Sequence, residues 1–191
     1  MVSRIRCFIS SLGEARPPTL ASTPHLARVF ALVGLLASAW AIALPTQAAA
    51  SEPVVLTLTV PGDTVQQHDF SLDMLQGLPT TEFETTTIWT SGPQRFTGVS
   101  LAALLQHIGE EAGQDGLLRA RAINDYAVEI PLSDVAAGGP IIAYQRNGAI
   151  MSVRDKGPLW VVYPYDSNEG FQTEAIYSRS IWQLEEITVM R

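Results

Sequence analysis

Short segments of alternating polar and apolar residues, each followed by turn residues, recur from residue 54 onward. The first is Val54–Val60, which is rich in β-branched residues and precedes the turn Pro61-Gly62-Asp63. Such alternation indicates a strand with one buried face. Further strands are predicted over residues 82–89, 117–123, 127–130, 141–144, 159–163 and 184–189, and Asn147-Gly148 is predicted to form a hairpin turn.

Two short helices are predicted between these strands. Ser71 precedes an apolar run that stops at Gly77, and Ser100 precedes Leu101, Leu104, Leu105 and Ile108, which share one helical face. Serine is a favoured N-cap, and Gly109 after the second run fits a C-terminal cap. The predicted fold class is therefore α+β, a single β-rich domain.

The first fifty residues have the pattern of a signal peptide. Arg4, Arg6, Arg16 and Arg28 precede an uncharged run over residues 29–44, and small residues end the segment at Ala48 and Ala50. A membrane-spanning helix needs roughly 20 apolar residues, so the run is short for that role. We expect cleavage after Ala50, with residues 1–50 removed and residues 51–191 forming a periplasmic domain. An uncleaved membrane anchor is the alternative.

The charge and cysteine content restrict the function classes. Cys7 is the only cysteine, so the mature domain would contain no disulfide, thiolate metal ligand or cysteine nucleophile. Removal of residues 1–50 leaves 18 acidic and 8 basic residues, a net charge near −10. Such a surface repels nucleic acid and anionic membranes.

The familiar catalytic and metal-binding motifs are missing. His68 and His107 form no HxxxH or HxH pair, and there is no G-x-S-x-G elbow or glycine-rich phosphate loop. We therefore predict no catalytic residue and no metal ligand.

Basic residues next to aromatic ones indicate more about a binding site than the histidines and glycines do. Arg154 and Lys156 lie in one polar loop that ends at Gly157, and Arg179 lies in a second, over residues 177–180, just before Trp182. Planar guanidinium groups beside Tyr and Trp suit a flat, polar, anionic heterocycle. The alternative is that Arg154 and Arg179 form salt bridges with Asp155, Glu174 or Glu185.

Several blocks of the chain, taken in order, resemble the oxidoreductase molybdopterin-binding domain of the sulfite oxidase family. The resemblance implies the mixed, β-rich sulfite oxidase-type fold. The blocks are residues 96–101, FTGVSL; residues 124–131, NDYAVEIP; residues 142–144 with Asn147-Gly148; and residues 157–164, GPLWVVYP.

The resemblance also implies site residues. Tyr126 matches a tyrosine near the metal, with Asn124 and Asp125 beside it, and Arg179 matches an arginine of the anion pocket. A family lysine and a family arginine are replaced here by Trp182 and Trp160. Catalytic members carry a molybdenum-binding cysteine where this chain has Trp89 and Thr90, and neither side chain can replace a soft thiolate.

This chain is similar to small exported, cysteine-lacking relatives in its length and in its MSVRDKGPLW and RSIWQL segments. Those relatives are periplasmic pterin-binding regulators that act on a membrane-bound cyclic-di-GMP enzyme. The resemblance implies a reduced pterin or molybdopterin-like ligand without molybdenum, and a partner that is the periplasmic domain of a membrane cyclase, phosphodiesterase or sensor kinase. The expected ligand contacts are Trp89, Thr90, Asn124, Asp125, Tyr126, Arg154, Lys156, Gly157, Arg179 and Trp182.

Two other functions stay open. One is a molybdopterin-dependent oxidoreductase whose metal takes an oxygen ligand such as Thr90. The other is a structural or interaction protein that has kept the fold and lost the pocket.

Overall fold

A computed structural model describes residues 52–111, 113 and 115–191. The predicted signal peptide, its cleavage point after Ala50 and Cys7 lie outside these residues. The described chain forms ten strands and three short α-helices. In chain order they are β1 Val54–Val60, β2 Gln66–Ser71, α1 Leu72–Gln76, β3 Thr80–Thr85, β4 Gln94–Ser100, α2 Leu101–His107, β5 Leu117–Ala122, β6 Ala127–Pro131, β7 Ile141–Arg146, β8 Ala149–Ile150, β9 Trp160–Val162, α3 Glu174–Arg179 and β10 Leu184–Met190.

These strands form two sheets. The first has the order β2-β1-β10-β5-β6, and its central pair, β1 and β10, is parallel. The second has the order β3-β4-β7-β8, and β9 pairs with β7. The described part is thus a β-rich mixed α+β domain, as predicted, with its strands spread over two sheets.

Local sequence signals explain several element boundaries. The Ser71 hydroxyl accepts a hydrogen bond from the Met74 amide at 3.2 Å, and the Ser100 hydroxyl accepts one from the Ala103 amide at 3.1 Å. Both predicted N-caps are confirmed. At Gly98 a side chain would collide with the backbone of Ile142, so only glycine allows β4 to approach β7 this closely.

The core lies on the inner faces of both sheets. Leu56 and Leu58 of β1 are fully buried, and so are all three residues of β9. Full burial of Trp160 is unusual for so large a side chain. Its indole Nε1 donates to the backbone oxygen of Ser180 at 3.2 Å, which satisfies its polar group.

Two predictions about the chain near the site were wrong. The strand expected over residues 82–89 ends at Thr85. Asp166 accepts hydrogen bonds from the amide and the hydroxyl of Thr86, both at 2.6 Å, and these contacts draw the chain out of the sheet. Trp89 and Thr90 therefore lie in a turn.

The second wrong prediction concerns the loop over residues 177–180, which belongs largely to helix α3. The Thr173 hydroxyl accepts a hydrogen bond from the Ile176 amide at 3.4 Å and caps the helix. Arg179 is its last residue. Strands β2 and β4 were not predicted.

Membrane-spanning helices are not found in the part of the chain that the structure describes, where no helix is long and apolar enough.

Candidate functional site

A pocket of about 430 Å3 lies beside the end of β5, the turn that follows it and one face of α3. Most of its surface is apolar, and aromatic side chains supply several of its walls. Its lining residues are Ile88, Trp89, Ala122, Asn124, Tyr126, Glu174, Tyr177, Ser178, Ser180, Ile181 and Trp182. Pockets of this size accommodate small organic ligands.

Trp89 is the centre of the aromatic wall. Its ring centroid lies 5.6 Å from that of Trp182 and 5.9 Å from that of Tyr177, and both pairs pack edge to face. The buried Trp160 and Tyr165 also contact Trp89, at 5.8 and 6.4 Å. Edge-to-face packing is the favoured geometry for such rings, so these rings support one another. The lining is held in place before any ligand arrives.

Lys156 covers the Trp182 ring. Its Nζ lies 4.0 Å from the Trp182 centroid and 5.5 Å from the Trp160 centroid, which is the range of cation–π contact. The backbone of Trp182 forms an isolated β-bridge with Trp160, and the two rings pack edge to face with centroids 6.3 Å apart. Lys156 therefore contacts the site through Trp182 and does not belong to the pocket lining itself.

Ser180 joins α3 to the buried aromatic residues below the pocket. The Tyr165 hydroxyl donates to the Ser180 hydroxyl at 2.6 Å, and the Ser180 hydroxyl donates to the Ile176 oxygen at 2.9 Å. Burial raises the pKa of Tyr165 to about 12, against the smaller lowering effect of its bond to Ser180. Tyr165 therefore stays a neutral hydrogen-bond donor at physiological pH.

Arg179 is not among the residues that line the pocket. Its Nη1 lies 2.8 Å from Asp134 Oδ2, and the Tyr163 hydroxyl donates to the same oxygen at 2.9 Å. Burial and the Asp134 carboxylate raise the pKa of Tyr163 well above its usual range. The predicted alternative of an ion pair thus applies to Arg179, although with Asp134 and not with Asp155, Glu174 or Glu185.

The structure brings together four of the predicted site residues: Trp89, Asn124, Tyr126 and Trp182 line one pocket. The others lie outside its lining. Thr90 shares a hydrogen bond with the hydroxyl of Thr87 at 2.8 Å, and Asp125 lies 3.0 Å from Arg121 in an ion pair. Arg154 is exposed, Asp155 pairs with Arg146, and Gly157 is buried.

Sequence reasoning missed Glu174 and the other lining residues of α3. Glu174, Tyr177 and Ser178 have the i, i+3 and i+4 spacing that places them on one helical face. That spacing is the available signal, and predicting a loop over residues 177–180 hides it.

A metal-binding cluster is not found among the described residues, where no three His, Cys, Asp or Glu side chains are grouped suitably.

Comparison with known proteins gives support for the fold. No family model matches the chain, and no curated protein matches it. Among solved structures, the sulfane dehydrogenase SoxCD from Paracoccus pantotrophus is similar, with a TM-score of 0.51 and 16% sequence identity. The match covers 70% of this chain and 38% of that chain. This chain thus corresponds to well under half of the dehydrogenase chain, and the similarity concerns the fold.

Proposed function

We propose that this chain is a pterin-binding protein on a sulfite oxidase-type fold, without catalytic activity. The observation that carries the proposal is the preformed aromatic pocket, in which Trp89, Tyr126, Tyr177 and Trp182 meet. Trp89 occupies the region where catalytic members of the resembled family carry their metal-binding cysteine. The likeness to a sulfane dehydrogenase supports an oxidoreductase type of fold, while fold alone does not establish chemistry.

A reduced pterin suits the lining of this pocket. The flat pyrimidine half of its bicyclic ring can stack on Trp or Tyr, and stacking of a base on an aromatic side chain contributes about 1–3 kcal/mol. The Asn124 side-chain amide can donate to the polar edges of the ring, and the exposed Ser178 oxygen can accept from them, while the Ser180 hydroxyl is already bonded to Tyr165 and Ile176. About 430 Å3 is enough space for such a ligand.

A molybdenum centre does not suit the same lining. Glu174 is the only charged residue among those that line the pocket in the described chain, and the lining has no thiolate or imidazole. The Thr90 hydroxyl, which an oxygen-ligated metal would need, bonds to Thr87 instead. The phosphate of molybdopterin would also meet no cation in this lining, so the fit is to the ring and not to the metallated cofactor.

The test is to purify the protein and measure bound molybdenum, bound pterin fluorescence and the affinity for tetrahydropterin. We expect low-micromolar affinity and no stoichiometric metal. Tyr126→Ala should weaken binding about tenfold, because Tyr126 lines the pocket and is 56% exposed. Ile150→Ala is the matched control, since Ile150 is 55% exposed and lies outside the lining. Stoichiometric molybdenum, or no pterin affinity, would favour the oxidoreductase or the interaction-protein alternative.

The proposal includes a periplasmic location and a membrane partner. Its support is the family resemblance together with the exposed side chains of Ile88 and Tyr126 in the pocket lining, which are accessible to a partner. N-terminal sequencing of the protein from a periplasmic fraction should begin at Ser51. Binding to the periplasmic domain of a cyclase, phosphodiesterase or sensor kinase encoded nearby should depend on added pterin; equal binding without pterin would contradict a sensor role.

A further inference from the structure

Among the described residues that line the pocket, Glu174 is the one with a charged side chain. It is exposed, and within the described residues no basic side chain lies within ion-pair distance of it. Arg179 of the same helix pairs with Asp134, and Lys156 covers Trp182, so both are engaged with other groups. An acidic group in an aromatic pocket selects for donors and against anions.

The structural role of Glu174 in its helix does not account for this position. A carboxylate in the first turn of a helix contributes about 0.3–1 kcal/mol through the helix dipole on whichever face it lies. The capping acceptor is the Thr173 hydroxyl, which bonds the Ile176 amide. Glu174 instead lies on the face shared with Tyr177 and Ser178, which is the face that lines the pocket.

We infer that Glu174 is the specificity-determining residue of the pocket and that its carboxylate accepts the paired N–H groups of a 2-amino-4-oxopyrimidine edge. This inference rests on the proposed pterin function. The exocyclic amino group and the adjacent ring N–H of a pterin point in parallel, as the donors of a guanidinium do. A carboxylate accepts such a pair through both oxygens.

The same arrangement rejects a ring with an oxygen in place of the amino group. A 2,4-dioxo ring, as in lumazine or a flavin, would direct a carbonyl oxygen at the carboxylate, and one hydrogen bond would become a repulsion. Sites that hydrogen-bond a donor discriminate strongly against analogues that lack it. Because Glu174 is exposed to water, we expect about tenfold discrimination and not the much larger factors of buried sites.

The experiment compares the affinities of the protein for 6,7-dimethylpterin and 6,7-dimethyllumazine, two rings that differ only at position 2. Quenching of tryptophan fluorescence at mildly acidic pH measures each dissociation constant. The purified protein should bind the pterin about tenfold more tightly. Glu174→Gln should remove most of that preference, because its amide presents a donor as well as an acceptor. Glu169→Gln is the control, since Glu169 is exposed and outside the lining; it should keep the preference. Circular dichroism confirms that each variant is folded.

The outcomes distinguish the role of Glu174 from pterin binding itself. Equal binding of both rings by the wild-type protein, or an unchanged preference in Glu174→Gln, would overturn the role of Glu174 while pterin binding stands. Binding of neither ring by the wild-type protein would overturn the proposed function and the inference with it.

Discussion

The guanidinium of Arg179 donates from Nη1 to Oδ2 of Asp134 at 2.8 Å. This contact joins the last residue of α3 to the short 3-10 turn Leu132–Asp134 that follows β6. Since α3 carries Glu174, Tyr177 and Ser178 into the pocket, the ion pair holds one wall of the site from outside. Arg179 is therefore a positioning residue.

The Arg179–Asp134 pair should stabilise the domain as a coupled unit. Their side chains are 26% and 17% exposed, between the surface and the interior. We expect each single alanine variant to lower the free energy of unfolding by about 2 kcal/mol. In the double variant the loss should be about 1 kcal/mol smaller than the sum of the two single losses. Urea unfolding followed by tryptophan fluorescence measures all four proteins of the cycle.

Pterin affinity distinguishes the positioning role from direct contact. If α3 needs the pair, Asp134→Ala should weaken binding as much as Arg179→Ala does. Were Arg179 itself a ligand contact, release from Asp134 would leave the affinity unchanged or strengthen it. That result would contradict the positioning role.

Elements with a strong local pattern could be predicted from the sequence. Val54–Val60 alternates and is rich in β-branched residues, and it forms β1 with the predicted bounds. The caps at Ser71 and Ser100 are local too, because donor and acceptor lie three residues apart. In each case the deciding interaction lies within the segment itself.

The site depended on contacts that no local pattern reveals. Thr86 leaves the sheet because of Asp166, 80 residues away in sequence, and Arg179 pairs with Asp134, 45 residues away. Helix α3 has only six residues, too few to show a clear period. The positions of Trp89, Asn124, Tyr126 and Trp182 could nevertheless be grouped from the sequence, because they align with the site segments of the resembled family, and the four residues line one pocket.

Gly157 should tolerate no side chain. A Cβ there would overlap the carbonyl group of Met151, and the Gly157 amide donates to the Ser152 oxygen at 2.8 Å, so the backbone is held on both sides. Gly157→Ala should destabilise the protein by at least about 2 kcal/mol. It should also weaken pterin binding, because Lys156 next to it covers Trp182. Gly62→Ala is the control, since its nearest neighbour would be 3.6 Å away; thermal unfolding of both compares the effects.

Stability should fall in alkaline solution. Burial raises the pKa of Tyr165 from 10.0 to about 12, so between these values the unfolded chain loses a proton that the folded protein retains. The contribution of Tyr165 to the free energy of unfolding is thus complete below pH 10. It is lost as the pH rises toward 12, by about 1.4 kcal/mol per pH unit.

Tyr165→Phe tests this pH dependence. Urea unfolding at a series of alkaline pH values should show a shallower decline in the variant than in the wild-type protein. Tyr163→Phe should flatten the decline in the same way, because burial and Asp134 raise the pKa of Tyr163 as well. Parallel curves for the wild-type protein and both variants would show that neither hydroxyl controls the alkaline loss.

Introducing a cysteine at position 89 should not create a metal site. Trp89 packs against four rings, so Trp89→Cys removes these contacts and should cost about 2–4 kcal/mol. The new thiol would lie in a turn. Among the described residues, the lining beside it has the Glu174 carboxylate as its only charge and offers no cation to the phosphate of the cofactor. After incubation with molybdenum cofactor, Trp89→Cys should bind no more metal than the exposed control Ile150→Cys. Stoichiometric molybdenum in Trp89→Cys alone would mean that the missing thiolate was the only barrier to metal binding.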